Sequence, residues 1–163
     1  MKTKIAYLGL LTTFALCLSY LESLIPAIVP IPGIKLGLAN FAVLLTLYLY
    51  GFKEAFFVNF ARIILASILF GSIYSFIYAL AGGILSLIGE YIFIKLNIFS
   101  EIGISIIGAI LHNLGQIIIA YFILKNVGIF YYFMFLILAA VITGTLNGYL
   151  VKILIPRIKK IIK

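Results

Sequence analysis

The chain has 163 residues, 66% of them hydrophobic and only 10% charged, with a net charge of +8. Its mean hydropathy of +1.32 leaves too little polar material to cover a water-soluble globule, which excludes a soluble enzyme or an isolated nucleic-acid-binding domain. The apolar residues fall into about six stretches of roughly the twenty residues needed to cross a bilayer. The expected fold is therefore an all-α integral membrane protein, a bundle of six transmembrane helices spanning residues 1–163 as one domain.

The first apolar run covers residues 5–25 after a Met-Lys-Thr-Lys start. It is long for a signal sequence and lacks a small-residue cleavage site, so it is expected to remain as the first helix. Cys17 lies inside it and is the sole cysteine, which rules out an intramolecular disulfide. Glu22 falls near its far end.

The chain then changes character in PIPGIKLGLAN, residues 30–40. Pro26, Pro30 and Pro32 break helix and favour extended backbone, and Gly33 and Gly37 admit close approach by another chain or a ligand. An ordered cap over the bundle and an ordinary surface turn both fit this pattern. Further spans are expected at residues 36–51, 53–70, 73–95, 102–124 and 128–155. Their apolarity is continuous, not alternating, which favours helices over a barrel.

With the amino terminus in the cytoplasm, the inner segments carry Lys2, Lys4, Lys53, Lys95, Lys152, Arg157, Lys159, Lys160 and Lys163, and the outer ones only Lys35 and Lys125. This positive-inside bias places both termini in the cytoplasm of a cell membrane, in a multi-pass arrangement. The basic tail PRIKKIIK then meets membrane lipid headgroups, and no nucleic-acid partner is needed to explain the charge.

Ionisable and amide side chains at membrane depth normally face a bundle interior or a cavity. On the third span Ala55, Asn59, Arg62 and Ala66 share a helical face, and on the fifth Ser105, Gly108, His112, Gln116 and Ala120 do, with Asn113 one step round. Together with Glu22, Lys35 and Asn40 these form a candidate substrate-binding set beneath the proline-rich segment: Glu22, Lys35, Asn40, Arg62, His112, Asn113 and Gln116. Arg62 leads it, because a guanidinium at this depth needs an anion and the chain has four acidic side chains in all. Glu22 either contacts ligand or neutralises Arg62 or Lys35, and the three amide and imidazole groups of the fifth span either bind ligand or join helices. Glu90 is expected at the lipid interface or beside Lys95. A ligand suited to this set has an anionic or strongly accepting group on a flat or apolar body.

Small residues recur every four positions as Ala140, Gly144 and Gly148, as Ala79 and Gly83, and as Ala15 and Ser19. The sets on the later helices are read as close packing within the bundle, and Ala15 and Ser19 as packing or as a docking face for another membrane protein. The sequence has no Asp, no Gly-Lys-Ser or Gly-Lys-Thr, and single His and Cys residues on different spans. Magnesium-diphosphate chemistry, ATP hydrolysis and metal or nucleophilic catalysis all lack their residues, so no catalytic site, metal or cofactor is expected.

The run from ALCLSYLESLIP through PIPGIKLGLANFAVLLTLYLYG, with FARIILASILFG and LHNLGQ further on, resembles the Gx transporter family, also labelled heptaprenyl diphosphate synthase component I. That family is similar to the substrate-binding S components of energy-coupling factor transporters. The resemblance implies six helices, capture of a vitamin-like or isoprenoid- or quinone-related small molecule from outside, and a cap at Pro30 to Asn40. It also implies a docking face at Ala15 and Ser19 for a transmembrane coupling subunit that works with ATPase subunits, although a strict Ala-x-x-x-Ala is missing. The alternative reading is a noncatalytic membrane partner of a prenyl diphosphate synthase.

Overall fold

The computed structural model describes residues 2–25, 35 and 37–162, in six helices. These are α1 Lys2–Ser23, α2 Asn40–Tyr50, α3 Phe52–Phe70, α4 Ile73–Leu96, α5 Glu101–Leu124 and α6 Ile129–Ile162. Among the described residues, α1, α4, α5 and α6 are long and apolar enough to cross a membrane. Helix α3 reaches 19 residues but carries Lys53, Glu54 and Arg62. Pro26, Pro30, Pro32 and Gly33, the heart of the expected cap, lie outside the described residues.

The largest departure from expectation is α2. Residues 36–51 read as one span, yet the helix covers only 11 residues, a length of about 16 Å, or about half a hydrocarbon core. Helix α2 is central instead of peripheral. Every residue from Asn40 to Leu47 is buried, and α2 packs against each of the other five helices. A helix that is apolar on all sides suits that position. Helices α1, α3, α4, α5 and α6 follow one another around it as neighbours. The ring opens between α1 and α6, where a groove of about 410 Å³ is floored by Phe41 and Leu45.

Local sequence explains the joints. Gly51 alone connects α2 to α3, with φ +96° and its N–H bonded to the Leu47 carbonyl at 3.1 Å. A side chain is disfavoured in that backbone conformation. Ser72 and Ser100 cap α4 and α5 by accepting the N–H groups of Ser75 and Gly103 at 3.2 and 3.4 Å. Lys4 and Glu54, 2.6 Å apart, bring the starts of α1 and α3 to the same end of the bundle.

Close packing follows the glycines. A Cβ on Gly144 would lie 2.6 Å from Ile106 Cα, and one on Gly148 2.6 Å from Ile102 Cα, so these residues let α6 rest on the α5 backbone. Gly82 does the same for α4, where a Cβ would meet the His112 carbonyl oxygen at 2.6 Å. Helix α6 also continues through Pro156 to Ile162, beyond the expected limit at residue 155. Proline removes one N–H, the partner of the Lys152 carbonyl, and this near the helix end does not stop it.

Candidate functional site

The short α2 leaves non-helical backbone inside the bundle, and the polar side chains of the neighbouring helices are arranged around it. The Gly37 carbonyl accepts from Asn147 Nδ2 of α6 at 3.4 Å. Gly37 also lies against the His112 ring, halfway along α5: a Cβ there would sit 3.5 Å from His112 Cδ2. Non-helical backbone at membrane depth is tolerated only when protein satisfies its polar groups. Here the partners are identifiable. Glu22 Oε1 accepts the N–H of Gly37, and that of Leu38 at 3.3 Å. Gln116 Oε1 accepts the Lys35 N–H at 3.1 Å. The turn closes through Asn40 N–H to the Gly37 carbonyl at 3.0 Å, with Gly37 at φ +85°, a conformation that favours glycine.

Glu22 therefore holds backbone and does not form the buried ion pair with Arg62 or Lys35 that the sequence left open. All four acidic side chains lie among the described residues, and the single ion pair found there is Lys4–Glu54. Glu90 is also corrected. It is 2% exposed, turned toward α5 so that its carboxylate occupies the space a side chain at Gly108 would take. Lys95 instead stands 5.6 Å over the Tyr91 ring.

Arg62 is buried at the centre of the polar cluster, with neutral partners. Its Nε and NH2 donate to Asn59 Oδ1 at 3.1 and 2.9 Å, NH2 also to Asn40 Oδ1 at 3.0 Å, and NH1 reaches Ser19 Oγ at 3.5 Å. No carboxylate stands within 4.0 Å of it. Among the described residues, Asn40 Nδ2 has no hydrogen-bond partner of its own.

A small cavity lies beside the guanidinium. Ser19, Glu22, Lys35, Arg62, His112 and Gln116 line it. The space open to a water's centre is about 10 Å³, room for about one water. On its α5 wall, Gln116 Nε2 and His112 Nε2 are 2.6 Å apart. Because Gln116 Oε1 is turned to the Lys35 N–H, its amide nitrogen is the donor here and His112 Nε2 the acceptor, which puts the imidazole proton on Nδ1 beside Gly82. The Lys35 ammonium lies 5.8 Å over the Phe70 ring.

The structure brings five of the seven expected binding residues to this cavity and links Asn40 to it through Arg62. Asn113 is the exception. Its Nδ2 donates to the Leu136 carbonyl at 2.9 Å, so it joins α5 to α6. The docking pair is corrected more sharply: Ala15 is 0% and Ser19 1% exposed. Ala15 packs in the core with α2, and Ser19 belongs to the cavity wall. Sequence reasoning missed Asn147, Ser67 and Ser75. Asn147 carried the available signal, an amide inside a long apolar helix one position from the small-residue stripe.

Fold and site define a multi-pass helical membrane protein with a cationic, hydrogen-bonded cavity enclosed in an apolar bundle. The family described as heptaprenyl diphosphate synthase component I matches residues 11–154, and the chain belongs to that family. No curated protein and no solved structure matches it.

Proposed function

We propose that the protein is the substrate-binding membrane subunit of an energy-coupling factor type transporter, an S component that takes up a small anionic molecule from outside the cell. One observation carries this reading: Arg62 is buried among neutral partners, with no carboxylate within 4.0 Å. Glu22 on the same cavity offsets part of that buried charge but is engaged by the Gly37 and Leu38 N–H groups, and a bound anion beside the guanidinium would offset more of its burial cost. Lys35, the hydroxyls of Ser19 and Ser75 and the Gln116 amide lie on the same cavity and supply further donors. The remaining bundle offers apolar walls, as small-molecule sites generally do. The cavity has room for about one water, so binding a substrate requires its walls to separate.

The sequence holds no nucleotide-binding motif, so transport in this reading depends on separate coupling and ATPase subunits. Their docking face on α1 is the exposed side bearing Gly9, Thr13 and Cys17, since Ala15 and Ser19 are interior. A side chain at Gly9 would meet nothing within 4 Å, which leaves that backbone open to another helix.

The family description favours a second reading, a noncatalytic membrane partner of a prenyl diphosphate synthase. Gentle purification from native membranes, followed by native mass spectrometry, separates the two. Co-purifying ATPase subunits and a retained small anion support transport. A soluble synthase without ATPase subunits supports the second reading and rejects the first; ATP hydrolysis by the isolated chain rejects both.

A further inference from the structure

The cationic cavity has an apolar neighbour. Between the last turns of α3 and the first turns of α4 lies a groove of about 320 Å³, lined by Ile64, Ser67, Ile68, Ser72, Ile73 and Phe76. Ser67 lines both spaces. On α4 the two are adjacent in sequence: Ser75 is buried on the cavity side, while Phe76 faces the groove.

Small side chains form the partition. Ala66, Ser67, Ser75 and Ala79 stand between the helices at this level, and one turn deeper Gly83 lets Asn59 and Ile63 approach α4. The groove side is open to the bilayer, since Ile68 and Ile73 are 76% and 66% exposed. Helices α3 and α4 are joined here only by Gly71 and Ser72, so the groove sits at the end of the bundle where lipid meets water. A buried guanidinium with no carboxylate within 4.0 Å thus lies behind a thin wall of small residues, with an apolar groove on the wall's other side.

We propose that the substrate is an anionic amphiphile that enters sideways from the bilayer: its charged head occupies the cavity at Arg62 and Lys35, and its apolar chain lies in the α3–α4 groove. This rests on the reading of the cavity as an anion-capture site and deepens it by naming the substrate class and route. Charge complementarity selects the head, and continuity through Ser67 places the chain. A water-soluble anion would have no use for the groove, and an uncharged lipid none for Arg62.

The test uses the full-length protein in nanodiscs of phosphatidylcholine, with dodecyl phosphate carrying a terminal diazirine as the probe. Photolysis and peptide mapping should concentrate the label on Ile64, Ile68, Ile73 and Phe76. Arg62→Gln should reduce that labelling by about ten- to a hundredfold, the loss expected for one charge-assisted contact. Lys35→Gln should reduce it less, and Ser67→Leu, which fills the junction, should remove it in a protein that melts normally. The matching dodecanol probe, without the anionic head, should label the lipid-facing helices evenly. Two results overturn the proposal. Butyl phosphate that binds as tightly as the long-chain probe, with Arg62 dependence and no groove labelling, leaves the capture site standing but removes the amphiphile. Groove labelling unchanged by Arg62→Gln in a folded protein shows that the head is elsewhere and removes both.

Discussion

The Glu22 carboxylate accepts the backbone N–H of Gly37, fifteen positions away, and so pins the non-helical entry to α2 inside the bundle. The same oxygen also takes the Leu38 N–H at 3.3 Å. A carboxylate at the start of a helix is favourably placed for the unpaired N–H groups and for the helix dipole. This contact turns a residue that reads as a ligand group into part of the scaffold. It also leaves Arg62 without the partner that composition alone would assign to it.

Removing that anchor should loosen the segment locally. Glu22→Ala leaves the buried Gly37 N–H without an acceptor, at about 1 to 3 kcal/mol, and the half-buried Leu38 N–H as well. Amide exchange at Gly37 and Leu38 should accelerate markedly while exchange in the middle of α5 stays slow. Unchanged exchange at both amides would show that Glu22 does not hold the segment.

Arg62→Gln keeps hydrogen-bonding capacity but removes the charge. Binding of an anionic ligand should weaken by about ten- to a hundredfold, or about 1.5 to 3 kcal/mol. Calorimetry beside a melting curve checks this. Normal binding in a variant that melts far earlier would make Arg62 a structural residue held by Asn40 and Asn59.

Two glycine substitutions should behave oppositely. Gly144→Ala places a Cβ 2.6 Å from Ile106 Cα, so α5 and α6 must separate, at about 1 to 3 kcal/mol. Gly9→Ala meets nothing within 4 Å and should be neutral, or gain up to about 1 kcal/mol from helix propensity. Thermal unfolding in one detergent compares them directly. Equal effects would remove the account of α5–α6 packing given by backbone contact.

Orientation is tested by labelling. In a Cys17→Ser background, a cysteine at Lys125 should react with an impermeant thiol reagent added outside intact cells, and one at Lys159 should not. The expectation rests on nine basic residues in the inner segments against Lys35 and Lys125 in the outer ones. The reverse pattern would turn the cavity to the cytoplasmic side.

The sequence by itself determined the membrane class, the helix positions on either side of α2, and which faces of α3 and α5 are buried. Those are local properties. Apolar length sets a span, and residues three or four apart share a face whatever surrounds them, so Asn59 with Arg62 and His112 with Gln116 were legible before any fold. The glycines of α6 were legible for the same reason. Tertiary structure alone decided that the second apolar run is helical only from Asn40 to Tyr50, that Ser19 lines the cavity instead of facing outward, and that Glu90 lies against Gly108. The Lys35 N–H and the Gly37 N–H and carbonyl, ahead of α2, are satisfied by Gln116, Glu22 and Asn147, at separations of 81, 15 and 110 residues. A hydrogen bond across such distances is fixed by how helices pack and not by any periodicity along the chain, so Glu22 and Gln116 read as ligand contacts, and Asn147 as part of an apolar helix, until the partners they bond in the folded bundle are known.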